Sequence, residues 1–413
     1  MAITINKIKI RYALLYGLIF VRYLLPYFFI DNENGLLSSF PVLDYALVII
    51  SFFLMAIQVL FCRFHLSRTD VLLIGVYICL VVSTIVNHGQ IVASVINAVQ
   101  VIFICFTIKC ALKDEIKIEV LLRLIRDIAL LIFIANLIVT VVYPGGIPSI
   151  TKQADNPYFL YGNVNLTVKY IFPGVCCSLL LDAKNHKRIS VSSIIIFAGY
   201  VYLCFHIYLM ATGLVAMAFV LIWLFNKPII SRNARLICTV LLSVIVLFEL
   251  FIVVFANEDL IGSILTLFGK EAGFSGRDAL WFRCILRIKE NPWLGYGALD
   301  KDTIYKLVGN RSGCHNYYLD ILFQRGVLGF IPFLFFLIWP MYRSIPRIHR
   351  KAQYILLGCA LSYIIMFMFE PFYNVERFHI PVFYALNILS EQRAGKNAFE
   401  AGTLDSENRQ MCR

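Results

Sequence analysis

The chain has 413 residues, 60% of them hydrophobic and only 15% charged, and a formal net charge of +12. A soluble domain is typically about 45–50% apolar and about 25% charged. Composition therefore excludes an ordinary soluble protein, and with it the nucleic-acid binder that a basic soluble chain would suggest; no basic groove interleaved with aromatics supports one.

A bilayer core takes about 20 apolar residues as helix. Such segments are predicted over 10–30, 42–62, 70–87, 91–111, 120–143, 164–182, 189–209, 212–226, 236–256, 326–342, 353–370 and 375–390, about twelve in all. The expected fold is all-α: a polytopic membrane helix bundle over 1–390, with a large, partly helical extracytoplasmic loop at about 257–325 and a polar cytoplasmic tail at 391–413. Basic residues gather in alternate loops. Lys7, Lys9 and Arg11 precede the first segment, Arg63 and Arg68 follow the second, and Lys109, Lys113 and Lys117 the fourth. Lys184, Lys187 and Arg188 follow the sixth, Lys227, Arg232 and Arg235 the eighth, and Arg343, Arg347, Arg350 and Lys351 the tenth. This is the positive-inside pattern with both termini in the cytoplasm. The first apolar run is long and lacks a small-residue cleavage site, so no cleavable signal peptide is expected. Arg22 and Glu249 are lone charges at membrane depth that should face a cavity or a partner. Asp127, with Arg123 and Arg126, is expected to snorkel or pair near the inner face.

Most of the 12 cysteines lie inside apolar runs and read as small buried hydrophobes, and no CxxC pair points to zinc. Only Cys284 and Cys314 fall in the long loop, where a disulfide between them is an option.

Within that loop, Arg277–Asn291 (RDALWFRCILRIKEN) has helical periodicity. Leu280, Trp281, Cys284, Ile285 and Ile288 gather on one side, and Arg283 and Arg287 share a flank. Ser275 or Gly276 can cap its start, and Asn291-Pro292 stops it. The helix could lie flat on the outer membrane surface, with Arg283 and Arg287 either on lipid phosphate or on substrate. Arg277 stands at the helix start, where free backbone N–H groups favour an anion. A second helix is predicted from His315 into the tenth span. It gathers His315, Asn316, Asp320, Gln324 and Arg325 where the chain enters the membrane, with Arg311 just upstream.

The runs SGRDALWFRCILRIKENPWLGYG at 275–297 and HNYYLDILFQRGVLG at 315–329 resemble the signature of the O-antigen polymerase and ligase family of bacterial membrane glycosyltransferases. Arg277, Trp281, Pro292, Gly295, Gly297, His315, Asn316, Gly326 and Gly329 match it in order. The resemblance implies an enzyme of the plasma membrane that moves a glycan from a polyprenyl pyrophosphate donor to a sugar hydroxyl of a lipid-linked acceptor, outside the cytoplasm. Polymerase is preferred, with ligation of finished glycan to lipid A-core or a protein as the alternative. It also implies Arg277 and His315 as the essential residues, Lys169 as the basic residue near the outer end of the sixth span, and a chain-length regulator and a flippase as partners. Ala211-Thr212-Gly213 departs from the Ser-Arg or Thr-Arg pair of many relatives. A transporter of lipid-linked sugars is the reading from another class; the absence of related halves speaks against it.

Such a transfer builds negative charge on the leaving pyrophosphate, which fixed cations stabilise. Arg277 is the first candidate, because a guanidinium grips phosphate oxygens two at a time; Arg311, Arg325 and Lys169 are further ones. His315 can act as base, orient the attacking hydroxyl, or bind phosphate. Asp300-Lys301-Asp302 is a DxD read as solvated turn charges, like Asp31 and Glu33. Clustered arginines would replace a metal, so metal-independent activity with no cofactor is expected. Glu370, followed by Glu376, Arg377 and His379, marks the last outer loop and could position Arg277 or a sugar hydroxyl, or be structural.

Overall fold

The computed structural model describes residues 2–30, 36–62, 64–148, 157–185, 189–206, 210–254 and 277–391. The tail beyond Glu391, the start of the long loop with the caps Ser275 and Gly276, the basic residues Arg63, Lys187 and Arg188, and the loop acids Asp31 and Glu33 lie outside the described residues.

The chain is an all-α polytopic membrane protein. Its helices are α1 (Ala2–Leu24), α2 (Tyr27–Ile30), α3 (Pro41–Phe61), α4 (Arg68–Val86), α5 (Ile91–Ala111), α6 (Glu115–Val142), α7 (Leu166–Lys184), α8 (Val191–His206), α9 (Ala211–Phe225) and α10 (Lys227–Phe248). They continue as α11 (Arg277–Glu290), α12 (Lys301–Val308), α13 (Tyr317–Ser344), α14 (Lys351–Phe367) and α15 (Glu376–Glu391). One small hairpin pairs β1 (Tyr158–Phe159) with β2 (Gly162–Asn163). Each predicted span overlaps a described helix, and the first is broken at Leu25-Pro26 between α1 and α2. By length and composition 7 of the described helices can cross a membrane, and α8, α9 and α14 are shorter apolar helices. α1 carries four basic residues toward its ends, and α15 has 16 residues.

Helix starts follow their side chains. Ser67 and Asp70 form a capping box on α4, Asp114 caps α6 and Asp300 caps α12. α14 is buried along nearly its whole length between α7, α9, α13 and α15. α3 and α10 lie at the periphery and leave Val42, Phe61 and Leu236 exposed, as lipid-facing helices do. The lone charges find partners: Arg22 pairs with Asp44 of α3, Glu249 receives the Asn316 amide, and Asp127 pairs with Arg126.

The long loop is bolted to the bundle by backbone. α13 is interrupted at Gly326, and the Pro292–Gly297 turn docks into the break. Val327 N–H donates to the Pro292 carbonyl at 2.8 Å, while Tyr296 N–H and Gly297 N–H donate to the Phe323 and Gln324 carbonyls at 2.7 and 2.9 Å. The glycines of the sequence signature serve this contact. Gly326 sits at φ +56° and ψ −170°, a region left to glycine, and a Cβ there would strike the Trp293 carbonyl. Gly326→Ala is expected to lower stability by about 1–3 kcal/mol, read as a drop in melting temperature of the solubilised protein. Leu328→Ala, at a side chain 51% exposed, should move it little.

The apolar side of α11 does not rest on lipid. Trp281 and Cys284 are buried against Val308, Leu319 and Phe323 of α12 and α13. Cys284 and Cys314, with Cα atoms 6.3 Å apart, form a disulfide that ties α11 to the residue before His315.

Candidate active site

Four distant segments meet at one end of the bundle. Lys169, in the first turn of α7, places its Nζ 3.2 Å from Glu370 Oε2 and donates to the Pro371 carbonyl at 2.7 Å. Arg277, the first residue of α11, places Nη2 3.4 Å from Glu370 Oε1. Glu370, only 2% exposed, thus joins two cations from segments about a hundred or more residues apart in sequence. Removing it leaves buried charge unpaired, so Glu370→Ala is expected to cost about 3–5 kcal/mol, measured by thermal unfolding in detergent.

His315 stands at φ +52°, just before the Asn316 cap of α13. Its Nδ1 is buried without a hydrogen-bond partner among the described residues. Burial pushes its pKa down to about 4; Glu370 pulls it up, while Arg277 and Lys169 reinforce the fall. The free ring is therefore neutral at pH 7 and can accept a proton.

A cavity of about 540 Å³ opens over these groups. Lys169, Lys301, Arg311, Arg377, Glu370 and His315 line it, so four cationic side chains face one carboxylate. Tyr27, Tyr158, Tyr170 and Asn163 complete much of the wall. Arg277 meets the cavity through Glu370. The field favours an anion, and aromatic and amide groups beside it suit a sugar.

The other predicted site residues are placed differently. Arg311 lines the cavity but is largely exposed and pairs with Asp302 at 2.9 Å. Asn316 caps α13, accepting from Leu319 N–H at 3.1 Å and donating to both Glu249 oxygens at 2.9 Å. Arg325 is buried away from the cavity, paired with Glu376 and lying over Tyr77. Arg283 lies against Gly309, and Arg287 pairs with Glu290 at 2.8 Å. Of the polar residues at 315–325, His315 alone lines the cavity. Asp300 accepts from Asp302 N–H and Thr303 N–H, so half of the DxD is a helix cap. Lys301 and Arg377 were not anticipated as lining residues. Nothing local marks them: Glu376, next to Arg377, is taken by Arg325.

Residues 191–334 match the family described as O-Antigen ligase. This part of the chain is an O-antigen ligase family domain. It spans α8 through most of α13, and so contains Arg277 and His315, while Lys169 and Glu370 reach the site from outside it. The O-antigen ligase family match supports glycan transfer of the polymerase or ligase type and does not separate the two. No curated protein and no solved structure matches the chain.

Proposed function

We propose that the chain is a polysaccharide polymerase of the bacterial plasma membrane. It transfers a glycan from a polyprenyl pyrophosphate donor to a sugar hydroxyl of a lipid-linked repeat unit, on the extracytoplasmic side. The observation that carries this reading is the cavity itself: a cationic wall, a neutral imidazole and the Glu370 bridge to Arg277 at the end of a membrane bundle. The Cys284–Cys314 disulfide favours an oxidising, extracytoplasmic face for the loop.

In this reading the donor pyrophosphate enters the field of Lys169 and Arg277, which Glu370 holds in place. As the bond to the anomeric carbon breaks, the leaving phosphate oxygen gains charge, and the two cations stabilise it. His315 takes the proton of the attacking hydroxyl. The fixed cations supply the charge neutralisation that a divalent ion gives elsewhere, so the transfer is metal-independent. Ligation to a second acceptor is favoured as the alternative by the description of the matching family.

Purified protein given only lipid-linked repeat units, in EDTA, is expected to build a ladder of lengthening glycans on a gel. Absence of a ladder until lipid A-core is added would make the chain a ligase. Loss of product in EDTA, restored by Mg²⁺, would refute metal independence.

A further inference from the structure

Arg377 lines two cavities at once. One is the polar candidate site; the other is an apolar cleft of about 110 Å³ between α1, α5, α6, α7, α14 and α15. Leu24 and Phe378 wall the cleft at the level of Arg377, and it continues past Pro381 to Leu389. From Arg377 to Leu389 the helix rises about 18 Å, more than half of a bilayer's hydrocarbon thickness. Among the described residues, Arg377 is the one charged residue on its wall. An apolar space of this kind stays dry and accepts hydrocarbon.

The guanidinium is held but not neutralised. Arg377 Nε donates to the Tyr23 carbonyl and Nη1 to the Asn374 carbonyl, both at 3.2 Å. No carboxylate pairs with it among the described residues, because the adjacent Glu376 is committed to Arg325. A half-buried cation at the mouth of an apolar cleft calls for an anion that carries its own hydrocarbon.

We propose that Arg377 binds the phosphate of a lipid whose chain enters this cleft, so that the headgroup lies in the candidate site while the proximal part of the tail is held within the protein. The identity of that lipid, a prenyl pyrophosphate, rests on the proposed function. The pairing of arginine and cleft stands on the geometry alone.

The test uses full-length protein in detergent, with native mass spectrometry to titrate undecaprenyl pyrophosphate, inorganic pyrophosphate and undecaprenol separately. Arg377→Gln is expected to weaken undecaprenyl pyrophosphate and inorganic pyrophosphate by about tenfold or more, with Arg377→Lys keeping part of the affinity. Ala385→Phe, which fills the cleft below the arginine, is expected to weaken the two prenyl ligands and spare inorganic pyrophosphate. If Arg377→Gln does not fold, Arg377→Lys and Ala385→Phe carry the test. Folded variants that bind all three ligands as the parent does would overturn the site. Equal displacement by phosphatidylglycerol would overturn the prenyl assignment. Binding with the expected variant pattern, but no glycan product from a loaded donor, would leave this site standing and sink the polymerase reading. Product formation that ignores both variants would sink the site alone.

Discussion

Arg277→Ala is expected to slow glycan transfer by about 10²–10³-fold while leaving the protein folded. The guanidinium stands at the head of α11, half-buried, and pairs with Glu370 at 3.4 Å. That contact is long enough for an entering pyrophosphate to compete for the free edge of the planar group, which can grip two oxygens at once. Removing Arg277 leaves Glu370 paired with Lys169 at 3.2 Å, so the loss should fall on the transition state rather than on stability. Arg277→Lys keeps the charge but not the fork and should lie between the two. Single-turnover rates with a lipid-linked donor, beside thermal melts of each variant, separate these effects. A rate unchanged in Arg277→Ala would remove the residue from the mechanism.

His315→Ala is expected to cost about 10²–10⁴-fold, with a pH signature that distinguishes a base from a phosphate ligand. In the free chain the imidazole titrates at about 4, held down first by burial. Above that pH the ring is neutral and competent as a base; below it the ring is protonated and the base is lost. The acid limb of kcat/KM, which reports the free enzyme, should therefore fall near pH 4. An anionic pyrophosphate beside the ring favours the imidazolium, so the acid limb of kcat, which reports the bound complex, should lie at higher pH. If His315 instead binds phosphate as a cation, activity should climb as pH falls through the same region, and His315→Lys should restore much of it. The two pH profiles decide between these roles.

The same two residues were accessible from the sequence for different reasons. Arg277 begins an amphipathic segment whose period and Asn-Pro stop are local signals, and α11 spans Arg277–Glu290 as that pattern requires. His315 is marked by its polar neighbours at the mouth of an apolar run and by the signature in which it sits, whereas its left-handed backbone is not visible in the sequence. The glycines of that signature are plain in the sequence, but their purpose is not. Gly326 and Gly295 are needed because backbone from the loop passes through the break in α13, a contact between segments about thirty residues apart.

Sequence by itself determined the membrane class, the run of helices and the family signature, because hydropathy and helical period are written in neighbouring residues. Tertiary structure alone decided which charges serve the cavity. Arg325 and Asn316 look as available as Lys169 in the linear chain, yet Glu376 and Glu249 occupy them, and Glu370 gathers Lys169 and Arg277 instead. A buried charge pairs with whichever opposite charge packing brings within about 4 Å, and in this bundle those partners come from segments far apart in sequence.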